Sequence, residues 1–413
     1  MTHPSPKPFS PSRRVVDLGL PDRVARGARQ SDRDLLAQAP ADFIDTTHFD
    51  TVRFPPPAWA LDAFAAAAKD GALAYTGYRG NREVLEAVSS ALQAFTGEGF
   101  DPNGELILTP GTQAGLFGAL SAILNAGDKV LLVDPDYLFS ERILRFLGAE
   151  VSSVPLVMGA AIEPDLRVLE DSLRALRPKL LVFSHPNNPT GAVYAPAVIA
   201  RIAELAVEHD LWVVVDELYA RLVYDAKPFA HLVAQPGMRG RTVTLFGPSK
   251  TESLSGYRLG VVAAPAAVIA AMEDVQSITS LRAPAYAQHV LGSWLSEDGA
   301  WVAARIREFD QLRQMTVKAF RSLPWLGIFP QDGTAYAWPD VSALGQPDAV
   351  VAAALLREAG VLVSPGYQFG ASGRNHFRVC YARDEREWAA ALERIASVLD
   401  RFARAAGLPG RTA

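Results

Sequence analysis

The sequence predicts an α/β protein built on a mostly parallel sheet with helices on both faces. Short, near-continuous apolar runs recur through the middle of the chain, at residues 106–109, 130–133, 180–184, 212–215, 243–246 and 260–263. Helical patterns separate most of them, notably 112–124, 140–147 and 196–209. Apolar strands without polar alternation are buried on both faces, and alternation with helices is how a parallel sheet achieves this. A chain of 413 residues is also long enough for two domains and a large core.

Each element leads to the next in a readable way. The run at 106–109 passes through Thr109-Pro110-Gly111-Thr112-Gln113 into the first helix, and 130–133 leads to Asp134-Pro135-Asp136-Tyr137. After 180–184 comes Ser184-His185-Pro186-Asn187-Asn188-Pro189-Thr190-Gly191, whose composition is that of a turn. The next helix opens on Pro196, a residue suited to a first helical position. Asp216 directly follows 212–215, and Gly247-Pro248-Ser249-Lys250 follows 243–246. Beyond Ala283 the texture changes to long helical patterns at 284–296 and 300–323, then to short strands and two helices over 324–413. In the last helix Trp388, Leu392, Ile395, Leu399 and Phe402 recur at helical spacing, with Asp384 and Glu387 as a capping pair. The expected division is an N-terminal tail and arm over 1–74, a large domain over 75–296 and a smaller α+β domain over 297–413. The arm is expected to pack on the small domain or on a partner subunit.

Composition narrows the function classes. A 49% hydrophobic and 21% charged chain with net charge −5 is ordinary for a globular protein and carries no basic footprint for nucleic acid. One cysteine, Cys380, excludes an intrachain disulfide. No apolar run approaches the ~18 residues of a membrane span, and Met1 to Ser12 lack the apolar stretch of a secretory signal. The expected location is the cytoplasm, with small-molecule partners, no metal, no nucleic acid and no membrane.

In such sheets ligands collect outside the carboxyl ends of the strands, so the residues just after each run carry the chemistry. Lys250 sits among small, flexible residues, with Arg258 eight positions downstream. A lysine amine becomes a nucleophile towards a carbonyl where its surroundings favour the neutral form. A nearby cation and a turn rich in donors suit a lysine bonded to a phosphate-bearing aldehyde, pyridoxal 5′-phosphate (PLP). Asp216, at the end of a buried strand, needs a positive partner, and a pyridinium nitrogen is a fitting one. The phenol of Tyr219 and the amide of Asn188 are candidates for the same cofactor's ring oxygen. Gly111, Thr112 and Gln113 at a helix start, with Ser249 and Arg258, form a candidate phosphate cup. Tyr137 is placed to lay its ring against a flat cofactor.

Together these motifs resemble the class I/II aminotransferases, the fold-type I PLP enzymes, over residues 44–383. The resemblance implies a mostly parallel seven-stranded sheet in the large domain and a covalent bond from Lys250 to PLP. It implies phosphate binding by Arg258, Gly111, Thr112, Gln113 and Ser249, and ring contacts from Asn188, Asp216, Tyr219 and Tyr137. It implies that Tyr75 reaches the phosphate of a neighbouring subunit in a homodimer. Arg378, in Phe377-Arg378-Val379-Cys380, corresponds to the substrate-binding arginine, whose planar fork suits an α-carboxylate. The implied activity moves an amino group between an amino acid and a 2-oxo acid. A PLP-dependent lyase, cyclase or oxidase is the alternative from the same scaffold.

The departures from the family pattern concern the substrate. Asp45-Thr46-Thr47-His48-Phe49-Asp50-Thr51 stands where relatives have small residues, making His48 a candidate substrate contact or extra acid–base. His185 replaces an asparagine, and Pro248 removes a hydroxyl from the cup. Asp50 and Glu252 favour a basic or polar donor if they face the pocket, and have no such effect if Arg53 and Arg79 neutralise them on the surface.

Overall fold

The computed structural model describes residues 12–16, 36–37, 39–49, 53–69 and 75–412. Near the start of this span β1 (Ile44–Asp45) appears, and eight strands then form the central sheet. They are β2 (Leu106–Pro110), β3 (Lys129–Asp134), β4 (Glu150–Val157), β5 (Glu163–Pro164), β6 (Leu180–Ser184), β7 (Trp212–Asp216), β8 (Thr242–Phe246) and β9 (Leu259–Ala263). Their order is β2-β9-β8-β7-β6-β3-β4-β5. The run from β8 through β7, β6 and β3 to β4 is parallel throughout. Only β9 is reversed against long neighbours, pairing antiparallel with both β8 and β2. The carboxyl ends of β2, β3, β6, β7 and β8 therefore share one edge of the sheet with the amino end of β9.

Seven of these strands are the expected ones in fold-type I, and the eighth, β5, is a two-residue antiparallel addition to β4. The apolar runs anticipated six of the seven. The strand they miss is β4, whose Ser152, Ser153 and Pro155 interrupt any apolar run. It lies near the sheet edge with only part of its length buried, so burial on both faces does not constrain its composition.

Alternate side chains of each central strand enter two separate cores. Leu131, Val133, Leu181, Phe183, Val213 and Val215 pack under the helices Leu166–Leu176 and Pro196–Glu208. Val130, Leu132, Val182, Val214 and Leu245 pack on the other face, against Thr112–Ile123 and Ala266–Thr279. The expected helix at 284–296 is instead a turn of helix, Ala285–Gln288, followed by a 3₁₀ turn, His289–Gly292. Gly292 and Ser293 end it, being poor helix formers.

The C-terminal region is built on the long helix Gly299–Arg321, the helices Asp348–Ala359 and Glu385–Ala405, and small strands. Those strands are β10 (Tyr336–Ala337), β11 (Val361–Leu362), β12 (Ser364–Pro365) and β13 (Phe377–Cys380). Here β13 pairs with β10 and β12, while β1 adds to β11 in parallel. Asp384 caps the last helix by accepting from the N–H groups of Arg386 and Glu387. The apolar stripe of that helix buries Trp388, Leu392, Ile395 and Leu399 in one core. Of the N-terminal segment, Ile44, Phe49 and Phe54 join that core, while the helix Ala58–Lys69 contributes Ala60 to the core beneath β2 and β9.

Trp388 is fully buried and donates its indole N–H to Thr316 Oγ1 at 2.8 Å, tying the last helix to Gly299–Arg321. Thr316→Val keeps the volume and removes the acceptor. The expected cost is about 1–3 kcal/mol, that of an unmade buried hydrogen bond. A thermal melt should show a lower unfolding midpoint for Thr316→Val and a near-normal one for Thr316→Ser.

Candidate active site

A cleft of about 200 Å³ opens at the shared strand edge. Of the residues singled out from sequence, Thr112, Gln113, Tyr137, Asn188, Asp216, Tyr219, Lys250 and Arg378 all line it. They come from five strand ends and from β13, so neighbours in the site are up to 266 positions apart in the chain.

Lys250 lies in a tight loop after β8. Leu254 N–H donates to the Pro248 carbonyl at 3.1 Å and Ser253 N–H to the Lys250 carbonyl at 3.2 Å. The Lys250 amine stands 5.6 Å from the ring centroid of Phe49. Phe49 is buried and packs on Tyr219 and Tyr336, with centroids 6.1 and 5.7 Å away. Phe49 thus supplies an apolar wall beside the amine.

Asp216 ends β7 and accepts one backbone hydrogen bond, from Leu218 at 3.1 Å. Part of its surface faces the cleft, but the surrounding protein desolvates it and raises its pKa to about 6. The Leu218 N–H and the Lys250 charge offset only part of this. Tyr219, three positions on, is buried with its phenol 3.0 Å from that of Tyr336. Burial and the second phenol push its pKa well above the ordinary value.

At the end of β2 the chain turns through Gly111 with φ of +86°, and a Cβ there would collide with the Arg258 guanidinium. Only glycine permits both the left-handed backbone and this approach. Arg258 precedes the reversed strand β9, which brings it to the same edge. It donates to the carbonyls of Pro110 at 3.2 Å and Ser255 at 2.9 Å. No side chain caps the helix Thr112–Ile123, and Thr112 Oγ1 is buried without a partner. An uncapped helix start, an orphaned hydroxyl and a guanidinium fit a phosphate group. Ser249 is buried nearby, its hydroxyl 3.5 Å from the Leu259 carbonyl.

Tyr137 closes the cleft with its hydroxyl donating to Gln113 Oε1 at 2.8 Å. Asn188 is held from behind, its N–H donating to Ser184 Oγ at 3.1 Å. Ser184 in turn donates through N–H and Oγ to Asp136, at 2.8 and 3.0 Å. Burial raises the Asp136 carboxyl to about 7. Opposite stands Arg378, buried to 4% exposure, donating to Asn188 Oδ1 at 2.8 Å and to the Thr47 carbonyl at 2.6 Å. Its guanidinium lies 4.1 Å from the Tyr336 ring centroid and 4.8 Å from that of Phe369. Its Nε has no partner, an arrangement that suits an incoming carboxylate.

Gly111, Ser249 and Arg258 are not among the residues lining the cleft, and two further sequence candidates, His48 and Tyr75, lie with their side chains largely exposed. The His48 side chain is 63% exposed, with its ring beside Asp45 at 3.4 Å and Thr47 Oγ1 at 3.3 Å. Tyr75 is 84% exposed under the Arg282 guanidinium, 4.6 Å from its centroid. Asp50 and Thr51 lie outside the described residues. Glu252 is not on the surface but buried against Arg221, while Arg53 pairs with Asp384 and Arg79 with Glu273. His185 is likewise structural. Its ring is stacked between Tyr194 and Phe229 at 5.1 and 4.3 Å, and burial lowers its pKa to about 3.

The sequence reading missed Thr47, Leu116, Leu138, Phe139, Leu218 and Tyr336 as lining residues. Tyr336 belongs to a two-residue strand, too short for any periodicity. Its one local signal is Gly333, where a Cβ would meet Pro186 of the asparagine turn.

Asp216 has a folded pKa above its ordinary 3.8. Its contribution to stability is therefore full below about 3.8 and lost as pH rises through about 6. Asp216→Asn removes this dependence. In ligand-free protein, the variant's unfolding midpoint minus that of wild type should be higher at pH 8 than at pH 4, by roughly 2 °C or more. Equal differences at the two pH values would mean that Asp216 pays no burial penalty.

Comparison with known proteins identifies the family of the chain and of its fold. The family profile of aminotransferase class I and II matches residues 46–395. The aspartate/prephenate aminotransferase of Thermus thermophilus is 34% identical over 353 residues, covering 84% of this chain and 89% of that protein. Among solved structures, an aspartate aminotransferase from Rhodobacter sphaeroides superposes with a TM-score of 0.84 at 36% identity. That match covers 88% of this chain and 95% of the other. The aromatic aminotransferase from Pyrococcus horikoshii also gives 0.84, at 28% identity, covering 91% and 99%. By sequence and by fold, this chain belongs to the class I and II aminotransferases and is a transaminase.

Proposed function

We propose that the cleft binds PLP on Lys250 and exchanges an amino group between an amino acid and a 2-oxo acid. The observation that carries this reading is the convergence of Lys250, Asp216 and Arg378 on one cleft from three distant parts of the chain. When bound, PLP supplies an electron-withdrawing pyridine ring conjugated to the substrate's α-carbon. Asp216 holds the proton of the ring nitrogen, its buried charge gaining the cation it lacks. Asn188 and Tyr219 hydrogen-bond the ring oxygen, and Tyr137 covers a ring face. Gly111, Thr112, Gln113, Ser249 and Arg258 hold the phosphate. Arg378 grips the substrate α-carboxylate, giving up part of its contact with Asn188 and using its unpartnered Nε. With PLP held there, the Lys250 amine would be the group placed to serve as both base and acid, accepting and returning a proton at its Nζ.

We further propose that the protein acts as a cytoplasmic homodimer. Tyr75 is supported in this role by its 84% exposure beside another partly exposed tyrosine, Tyr78. From there it is available to a second copy's phosphate cup.

Wild type purified with PLP should absorb in the visible, and borohydride should bleach the band while labelling Lys250. Lys250→Ala should lack the band and lose at least ~10³-fold in turnover, the scale expected on removing both nucleophile and proton carrier. A label on another lysine overturns the assignment. For assembly, sedimentation at micromolar concentration should give a dimer, and Tyr75→Phe should weaken PLP binding severalfold. A fully active monomer refutes the dimer.

A further inference from the structure

Glu252 lies two positions after Lys250, and Arg221 two positions after Tyr219. Their side chains meet in the interior, 1% and 13% exposed. Arg221 also grips Asp298 with both Nη atoms, each bond 2.7 Å, and the Asp298 side chain is fully buried. Asp298 immediately precedes the helix Gly299–Arg321. One guanidinium therefore joins three segments: the loop with Asp216 and Tyr219, the loop with Lys250, and the start of the longest helix of the C-terminal region.

We infer that Arg221, Glu252 and Asp298 form a buried clamp that positions Lys250 against Asp216 and Tyr219. This rests on the proposed role of Lys250. None of the three lines the cleft, so they act as positioning residues. The lysine loop needs such an anchor. It is closed at its base by the Leu254–Pro248 bond, and it carries Ser253 at φ of +58°, a left-handed conformation unfavourable for serine. Glu252 stands in the sequence between that strained residue and the lysine. Its carboxylate draws the loop inward onto a guanidinium that is itself fixed by a bidentate pair. The turn bearing Arg221 is rigid as well, with Ala220 N–H donating to Glu217 O at 2.9 Å and Leu222 N–H to Tyr219 O at 2.8 Å. Burial explains why Glu252 needs a cation beside it: even with Arg221 there, desolvation, helped by the Asp298 charge, lifts the Glu252 pKa to about 7. Asp298 completes the path by which the C-terminal region, which supplies Arg378, is registered on the lysine loop.

Conservative variants of the holoenzyme test this. Glu252→Gln keeps the shape and a neutral hydrogen bond, whereas Arg221→Lys keeps the charge and loses the fork. Each should lower kcat about 5- to 20-fold, leave KM for the amino donor within about 2-fold, and shift the position or pH midpoint of the visible band. The pairing of charge with geometry predicts a larger loss in Glu252→Ala than in Glu252→Gln. If both conservative variants keep wild-type kcat and spectrum and only melt at a lower temperature, the triad is a stability element and the inference fails. A wild type without the visible band would refute the cofactor reading instead, which separates the two outcomes.

Discussion

Asp216 places a carboxylate at the end of a strand whose neighbours on both sides are parallel and apolar, where a charge cannot be left alone. The sheet leaves no backbone donor for it except the Leu218 N–H, and the Lys250 charge compensates it only in part. A residue so placed raises the free energy of the ligand-free protein and lowers it again when a cation arrives from a ligand. The other site residues are arranged around that position. Lys250 comes from the adjacent β8, Asn188 from the adjacent β6, and the proposed phosphate cup from β2 with the amino end of β9.

The reversal of β9 is what brings Arg258 to the site. A parallel β9 would begin at the opposite edge of the sheet, some five residues away from the helix start at Thr112. Running antiparallel, it starts where β2 ends, with Leu259 opposite Pro110. The guanidinium then lies against Gly111, at a spot that any other residue's side chain would fill.

Arg378 reaches the cleft from the other direction. It stands on β13, between β10 and β12, and its guanidinium sits over Tyr336 and Phe369. Through Asn188 it meets a polar chain of Ser184, Asn187 and Asp136 behind the asparagine turn. Arg378 and Asn188 therefore share one hydrogen-bond network, so that on the proposed function a carboxylate engaging Arg378 would also act on Asn188. The Arg221 clamp links the same two regions on the lysine side.

The sequence by itself determined the sheet and the residue types that follow each strand, because both are written locally. Fully buried strands must be apolar runs, and the residues leaving them fall at the ligand edge. Lys250, Asp216, Asn188, Tyr219 and the helix start at Gly111 were legible on that account, whereas Arg258, which precedes β9, was legible only from its motif. Tertiary structure alone decided what surrounds them. Thr47, Phe49 and Tyr336 approach from segments too short for periodicity, and Phe49 becomes the wall beside Lys250 only once β1 pairs with β11. It also decided the fate of the charged residues. Glu252 turned inward to Arg221 rather than to the cleft or the surface, and His48 turned outward. Side-chain direction and charge partners depend on contacts between residues tens to hundreds of positions apart, and no local pattern encodes those.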